Sequence, residues 1–218
     1  MKPVKIPENT ITCLSIYLRC LEELEAQGIG SISSKHLAER FGLNSAQVRK
    51  DLAYFGQFGV RGLGYYVAEL KQNLERILGL KQDWDVALVG VGNLGSALIA
   101  YKGFQARGFR ISLAFDTDAA KLGSLIDGVT VIDVAQLVPT LRKKKVRIAV
   151  ITVPAPVAQS VADLVVQAGV TAILNFAPAQ LAVPAGVKVQ NVDLSVLLKT
   201  LSYHTVRAAR SPSRPPDA

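Results

Sequence analysis

Three glycines at a strand-to-helix junction form the most informative chemical pattern in the sequence. Gly90, Gly92 and Gly95 follow an apolar run that ends at Val89, and an amphipathic run follows them. In this context the first glycine permits a tight turn, the second lets a pyrophosphate approach the backbone, and the third lets the helix pack closely on the strand. The N–H groups at the start of the helix also bind phosphate. We therefore predict a dinucleotide site that includes Gly90, Gly92, Asn93, Leu94, Gly95, Ser96 and Ala97.

An acidic residue ends the next predicted strand, where a dinucleotide site needs an acceptor. Asp116 lies 21 positions after Gly95, and Thr117 and Asp118 follow it. A carboxylate here accepts hydrogen bonds from a ribose and repels a 2′-phosphate, so the sequence favours NADH and NAD⁺ over the phosphorylated cofactors. A later strand ends at the same edge of the sheet, and an ordinary turn is the alternative interpretation of its end. We include that end in the predicted cofactor site: Thr152, Val153 and Pro154.

A second group of polar side chains lies on short helices near the N-terminus. A tight turn separates a predicted helix over 33–42 from a helix that Asn44 caps, which is the arrangement of a helix-turn-helix. The second helix would expose amide and cationic groups, which pair with base edges and phosphates. A glycine-rich hairpin follows, with Arg61 at its tip. We predict a winged helix-turn-helix that contacts double-stranded DNA through Ser45, Gln47, Arg49, Lys50, Tyr54 and Arg61.

Two such sites require two domains, and the composition changes between them near residue 80. The earlier part has helical periods, whereas from Trp84 onward short apolar runs alternate with alanine-rich amphipathic stretches, as in a parallel sheet. We predict an α/β protein with four segments: a winged helix-turn-helix domain in 1–80, a Rossmann-like parallel-sheet domain in 81–192, a C-terminal helix in 193–210 and a disordered tail in 211–218.

The predicted elements follow from apolar periodicity and from turn residues. The winged-helix region begins with a helix over 9–27 and ends in a hairpin that reaches Val67. The strands of the second domain are predicted at 85–89, 110–115, 146–152, 171–174 and 187–191. Its helices are predicted at 94–106, 155–167 and 194–209, with shorter pieces near 119 and 134.

Charge, cysteines and hydropathy restrict the class of protein. The net charge of +8 suggests an anionic partner, but residues 1–80 hold ten basic and eight acidic side chains, so charge alone is weak evidence for DNA. Cys13 and Cys20 lie too far apart on one predicted helix for a disulfide, which favours a reducing, cytoplasmic location. The uncharged stretch 164–187 is long enough to cross a bilayer, but Pro178 and Pro184 interrupt it. We therefore expect no membrane segment.

Taken together, the motifs resemble those of the Rex family, the redox-sensing transcriptional repressors of bacteria. They occur in this order: Val48-Arg-Lys-Asp-Leu52, Tyr54-Phe-Gly56, Gly59-Val-Arg-Gly-Leu-Gly-Tyr65, the turn from Gly90 to Gly95, Thr152-Val-Pro154, Asn175-Phe-Ala-Pro178 and Asn191-Val-Asp193. The resemblance implies a homodimer that exchanges its C-terminal helix. It also implies binding to palindromic operators when NADH is scarce and release of the DNA when NADH binds. Arg19, Tyr101 and Asp193 are the implied coupling residues.

The implied coupling has a physical basis in the charge of the nicotinamide. The oxidised ring is positive and the reduced ring is neutral, so a nearby carboxylate interacts differently with the two states, and only such a difference shifts an equilibrium. We hypothesise that Asp193 changes partner between Tyr101 and Arg19 as the dimer closes. The sequence departs from the family pattern at Leu194, which offers no aromatic ring to stack on the nicotinamide.

Three alternatives remain open at the level of sequence. A small NAD-dependent oxidoreductase is the first, but the cofactor domain and the winged helix leave no substrate domain, and neither His36 nor His204 lies in a catalytic pattern. The second is a protein that uses the N-terminal helices to bind another protein, which salt dependence would distinguish from DNA binding. The third is an α/β domain that binds another nucleotide such as coenzyme A, which relative affinities would test.

Overall fold

The computed structural model describes residues 6–210, and the chain divides into two compact units between Asp83 and Trp84. The predicted tail at 211–218 lies outside the described residues. The first unit contains, in order, α1 (Glu8–Ala26), β1 (Ser31–Ile32), α2 (Ser34–Phe41), α3 (Ser45–Ala53), β2 (Tyr65–Tyr66) and α4 (Val67–Ile77). Its core contains buried leucines from all four helices, among them Leu14, Leu37, Leu52 and Leu74.

Helix caps account for the tight turn between α2 and α3. The Ser33 hydroxyl accepts a hydrogen bond from the backbone N–H of His36 at the start of α2. α2 ends at Gly42, whose φ of 65° is a conformation that glycine adopts without strain. Asn44 Oδ1 then accepts the N–H groups of Ala46 and Gln47 at 2.9 and 3.0 Å. The predicted helix-turn-helix elements are therefore present.

The segment after α3 differs from the predicted hairpin. Only one bridge, between Val60 and Gly64, closes the loop, and β2 pairs antiparallel with β1 from before α2. Gly64 has a φ of 101°, and a Cβ there would collide with the Ile32 carbonyl, so this approach needs glycine. Val67 begins α4 rather than ending a strand, and α4 was not predicted. A pairing over more than thirty residues leaves no local signal in the sequence.

The second unit is a seven-stranded sheet with helices on both faces. Its strands are β3 (Trp84–Val89), β4 (Phe109–Asp116), β5 (Leu125–Ile126), β6 (Val129–Asp133), β7 (Ile148–Ile151), β8 (Ala172–Asn175) and β9 (Lys188–Asn191). The strand order is β5-β6-β4-β3-β7-β8-β9, and every pairing is parallel except that of β5 with β6. The order reverses beside β3, and open α/β sheets bind ligands at that point of the carboxyl edge.

The helices of this unit are α5 (Asn93–Ala100), α6 (Lys102–Gln105), α7 (Leu137–Lys144), α8 (Ala155–Gln167) and α9 (Leu194–Arg210). A single 3₁₀ turn, Val134–Gln136, precedes α7. The predicted helix over 94–106 was wrong as one element, because the extended backbone of Tyr101 (ψ 103°) separates α5 from α6. Residues 119–123 form turns rather than a short helix, and the β5–β6 hairpin was not predicted.

The two faces of the sheet are covered differently. Leu137 and Leu141 of α7 and Val161 and Val165 of α8 are buried against one face. The opposite face has its own apolar core, which includes Leu88 of β3 and Ile99 of α5. Part of this face borders an open cavity of about 340 Å³. The residues that line this cavity are Val86, Phe104, Arg107, Phe109, Ile111, Ile148, Val150 and Leu174. In residues 6–210 no helix combines the length and the apolar character needed to cross a membrane.

Candidate cofactor cleft and nucleic-acid interface

The three glycines of the predicted dinucleotide turn have different surroundings. A Cβ at Gly90, where φ is 101°, would lie 2.8 Å from the Val153 side chain and 2.9 Å from the backbone of Thr152, and a Cβ at Gly95 would strike the carbonyl oxygen of Gly90. At Gly92, which precedes α5, nothing lies within 4 Å of the added atom. The fold itself therefore requires Gly90 and Gly95, whereas the space beside Gly92 is open to an incoming group.

A cleft of about 640 Å³ lies at the carboxyl edge of β3, β4 and β7. Six of the predicted cofactor residues line it: Gly90, Gly92, Asp116, Thr152, Val153 and Pro154. The other five, Asn93, Leu94, Gly95, Ser96 and Ala97, form the first turn of α5 instead of the cleft wall. The Thr152 hydroxyl donates to the carbonyls of Val89 and Gly90 at 3.1 and 2.7 Å and so holds the end of β7 against the glycine turn.

Asp116 is buried, with 9% of its surface exposed, and its carboxylate is held by several donors. Oδ2 accepts the Val91 N–H at 2.7 Å, Oδ1 accepts the Asp118 N–H at 2.9 Å, and Lys121 Nζ lies 3.4 Å from Oδ2. Burial alone would raise the pKa of Asp116, but the two amide donors and the Lys121 ammonium outweigh it and lower that pKa. The cleft therefore contains a fixed negative charge beside the glycine turn.

Lys121 is a cleft residue that the sequence analysis missed. Its ammonium lies between Asp116 and Asp118, 3.5 Å from Oδ2 of the latter. Lys121 follows Asp116 by five positions, and the turn at 119–123 returns the chain to the carboxylate. The lysine is visible in the sequence, but only the path of the backbone shows that the two side chains meet.

Replacing Asp116 by asparagine is expected to destabilise the protein at neutral pH and to remove part of its acid sensitivity. Because the pKa is lowered in the folded state, this carboxylate stabilises the fold above its ordinary pKa of 3.8, and that contribution is lost as the pH falls through the folded-state value. Charged hydrogen bonds of this kind contribute about 1–3 kcal/mol. Urea unfolding of wild type and Asp116→Asn at neutral pH should differ by this amount, and the difference should shrink below pH 3.8.

The control for this measurement is Asp163→Asn, an exposed aspartate on α8 whose loss should change the unfolding free energy by less than about 0.5 kcal/mol. An unchanged difference between wild type and Asp116→Asn from neutral to acidic pH would contradict the role given to the carboxylate.

The coupling residues lie on separate elements. Tyr101 sits between α5 and α6, is 56% exposed, and packs edge-to-face on Phe104. Asp193 is exposed at the start of α9, and hydrogen bonds from the side chain and then the backbone N–H of Ser195 lower the pKa of Asp193. The Ser195 N–H lies 2.9 Å from Asp193 Oδ1. Among residues 6–210 no hydrogen bond joins Tyr101 to Asp193. Arg19 is exposed on α1 of the other unit, so the proposed exchange of partners stays a prediction.

The predicted DNA-contacting residues occupy different positions around α3. At 100° per residue, Lys50 lies opposite the buried Val48, with Gln47 and Arg49 on the two flanks. Arg49 donates to the Ser34 hydroxyl at 2.9 Å, so this flank is tied to α2. Ser45 and Tyr54 are half-buried at the two ends of the helix, and Arg61 is exposed at the tip of the wing.

Asp51 is a buried acid that the sequence analysis missed. It is completely buried on α3, between the core residues Val48 and Leu52. Its Oδ1 accepts hydrogen bonds from Thr10 Oγ1 and Gln47 Nε2, and its Oδ2 accepts one from Tyr17, each at 2.8 Å. A carboxylate within an apolar stripe was the signal that could have identified this cluster.

Two family models match the chain, one over each unit. A model described as the N-terminus of a DNA-binding protein matches residues 5–53, and a model described as a CoA binding domain matches residues 81–179. The first match lies within the helical unit, and the second begins just before the division at Asp83 and covers most of the sheet.

Curated relatives extend the match over nearly the whole chain. A redox-sensing transcriptional repressor Rex from Desulfitobacterium hafniense is 52% identical over 204 residues, which are 94% of this chain and 97% of the relative. The Rex protein of Streptomyces griseus is 47% identical over 212 residues, 97% of this chain and 84% of the relative. At this identity and coverage the relatives share both units with the chain.

Solved structures agree with these relatives. A structure of RSP in complex with β-NAD⁺ and operator DNA superimposes with a TM-score of 0.89 at 38% identity, over 94% of this chain and 95% of RSP. The complex of RSP with β-NADH gives a TM-score of 0.85 at 37% identity, over 94% and 96%. RSP is described as a Rex-family repressor. From sequence identity, coverage and fold together, the chain belongs to the Rex family of redox-sensing transcriptional repressors.

Proposed function

We propose that the protein is a repressor that binds palindromic operator DNA when NADH is scarce and releases it when NADH binds. The observation that carries this proposal is the presence, in one chain, of a glycine-turn cleft with a fixed Asp116 and a helix-turn-helix with exposed cations. A relative with the same two units has been solved with β-NAD⁺ and operator DNA. As a member of a repressor family the protein is not an enzyme, and it acts in the cytoplasm.

In the cofactor cleft, Gly90, Gly92 and the first turn of α5 would hold the pyrophosphate. Asp116 would accept hydrogen bonds from the adenosine ribose through lone pairs that Val91, Asp118 and Lys121 leave available. Thr152, Val153 and Pro154 would border the cofactor on the β7 side. The cofactor supplies the redox signal, because only its oxidised ring carries a positive charge.

On the DNA side, α3 would enter the major groove. Lys50 occupies the centre of the exposed face, where a cation can reach guanine or phosphate, and Ser45, Gln47, Arg49 and Tyr54 surround it. Arg61 at the wing tip would contact phosphate or the minor groove. A phosphate-dependent interface of this kind loses affinity as salt rises, which distinguishes it from a protein–protein contact.

The protein is proposed to act as a homodimer in which α9 packs on the partner subunit. Seven apolar side chains of α9 are each more than half exposed: Leu194, Val196, Leu197, Leu198, Leu201, Tyr203 and Val206. One face of the sheet also leaves a mostly apolar cavity open beside Phe104, Ile148 and Leu174. A cluster of exposed apolar side chains such as that on α9 marks an interaction site. A dimer also supplies the two recognition helices that a palindrome needs.

The proposed signal passes through Asp193. NADH binding would make this carboxylate change partner between Tyr101 and Arg19 as the dimer closes, which would move the recognition helices out of register with the two half-sites. An Asp193→Ala protein should then bind operator DNA but respond weakly to NADH, and a normal response would contradict this part of the proposal.

Retention of fragmented genomic DNA by the purified protein, with NAD⁺ or with NADH, tests the function. We expect one palindromic sequence to be enriched with NAD⁺ and lost with NADH. We expect the Lys50→Ala protein to enrich no sequence with either cofactor. Lys35→Ala, which removes an exposed lysine of α2, is the matched control. Absence of enrichment under both conditions would overturn DNA binding, and equal enrichment under both would overturn redox sensing.

A further inference from the structure

The DNA-binding unit contains a buried charge whose surroundings are built entirely from neutral donors. Asp51 is completely buried, and its carboxylate accepts hydrogen bonds from Thr10, Tyr17 and Gln47, each at 2.8 Å. An ionised group withdrawn from water in this way is costly unless its oxygens are fully hydrogen-bonded. An apolar residue between Val48 and Leu52 would continue the core more simply, so the position needs a reason beyond packing.

The three donors connect α1 to the exposed surface of α3. Thr10 and Tyr17 lie about two turns apart on α1 and are themselves buried. Gln47 is one turn before Asp51 on α3 and is exposed. Asp51 therefore links a buried, rigid pair on α1 to a side chain at the flank of the DNA-facing surface.

This link fixes the orientation of the Gln47 amide. A carboxylate only accepts hydrogen bonds, so the nitrogen of the amide must face Asp51 Oδ1. One N–H is used there, and the second N–H and the carbonyl Oε1 are left at the protein surface. This donor–acceptor edge matches N7 and N6 of adenine in the major groove, the pairing that glutamine makes with that base.

We propose that Asp51 is a positioning residue for base recognition, which holds the Gln47 amide in the one orientation that presents its donor–acceptor edge to DNA. The inference rests on the proposed function, because it assumes that α3 enters the major groove. Without Asp51 the Gln47 amide rotates freely. The entropy lost when DNA orders this side chain then offsets part of the free energy of its hydrogen bonds to the base. α1 also carries Arg19, so any displacement of α1 by the cofactor signal would reach Gln47 through the same carboxylate.

The test uses the full-length protein and the operator obtained by DNA retention, with every base pair substituted singly. Gln47→Ala first identifies the base pair whose preference depends on this side chain. Asp51→Leu, which is of similar size and removes both acceptor oxygens, is then expected to lose preference at that same base pair, by about tenfold, with unchanged affinity for non-specific DNA and an unchanged salt dependence. The double variant should lose no more than Gln47→Ala alone. Glu39→Gln, an exposed acid on α2, is the control and should change no preference.

Several results would overturn the proposal. Equal weakening at all base pairs would indicate that Asp51 serves only stability, and losses that multiply in the double variant would show that the two residues act independently. If Asp51→Leu does not fold, Tyr17→Phe decides, because it removes the hydrogen bond that fixes Oδ2, so the carboxylate can turn and no longer holds the Gln47 amide in one orientation. A smaller loss at the same base pair supports the link, and no loss rejects it. Failure of the wild-type protein to retain DNA would instead reject the proposed function.

Discussion

Gly92→Ala is expected to weaken NADH binding by about 5- to 150-fold while leaving the fold intact. The added Cβ meets no atom within 4 Å, and the backbone φ of −84° is one that alanine adopts without strain. The methyl group therefore projects into the open side of the turn, where the pyrophosphate would lie. A misplaced methyl group costs about 1–3 kcal/mol, which corresponds to a dissociation constant roughly 5 to 150 times higher. Fluorescence titration with NADH measures this change.

Two other glycines serve as controls for this substitution. Gly186→Ala also meets no atom within 4 Å, lies far along the chain from the glycine turn, and should change neither stability nor NADH affinity. Gly90→Ala should lower the unfolding free energy, because its Cβ would meet Val153 and Thr152 and its φ is positive. If Gly92→Ala binds NADH as wild type does, the pyrophosphate does not approach this turn and the predicted cofactor site is wrong.

The Gly92 variant also separates cofactor binding from DNA binding. It should retain operator DNA at NADH concentrations that release the wild-type protein, because nothing in the helix-turn-helix is altered. Loss of operator binding by the variant without any cofactor would contradict the assignment of the two activities to separate units.

The parts of the fold that could be predicted are those with local signals. Ser33, Gly42 and Asn44 carry their cap chemistry in their residue types, and α8 was predicted with its observed bounds because its apolar period is uninterrupted. The β5–β6 hairpin was missed although Asp127-Gly128, with both residues at positive φ, is a local signal for a two-residue turn. The β1–β2 pair and the break at Tyr101 could not be predicted. Each depends on a contact made only in the folded chain, such as the Tyr101 ring that occupies the space beside Gly103.

The same distinction applies to the two sites. The glycine turn and Asp116 carry a spacing that chemistry explains, so their position at one sheet edge was predictable. The side chains that contact the site residues were not predictable. Lys121 meets Asp116 because of a turn in the backbone, and Asp51 meets Thr10 because α3 packs against α1. The consequence for Gln47 and Arg49 is that both are held by neighbours before any DNA is bound, which leaves Lys50 as the central cation of α3.

Charged residues on the apolar stripe of α9 are expected to convert the protein to a monomer and to remove operator binding. Leu194, Leu197, Leu198 and Leu201 share one side of the helix and are exposed, so a partner surface must cover them in the proposed dimer. Burying a leucine contributes about 1.5–3 kcal/mol, and two introduced carboxylates add an uncompensated desolvation cost. Leu197→Glu combined with Leu201→Glu should therefore weaken dimerisation by at least about a thousandfold, which analytical ultracentrifugation measures.

A monomer presents one recognition helix to a two-half-site operator, so its operator affinity should fall toward that for non-specific DNA. Thr200→Glu adds one carboxylate at the edge of the opposite side of α9 and is the matched control for charge on this helix. It should leave both the dimer and the operator affinity much closer to wild type than the double leucine variant does. If the double variant stays dimeric, then α9 does not form the dimer interface. The open apolar cavity beside Phe104 and Leu174 would then be covered by some other part of the molecule, because an exposed surface of that kind is rarely left uncovered in a stable protein.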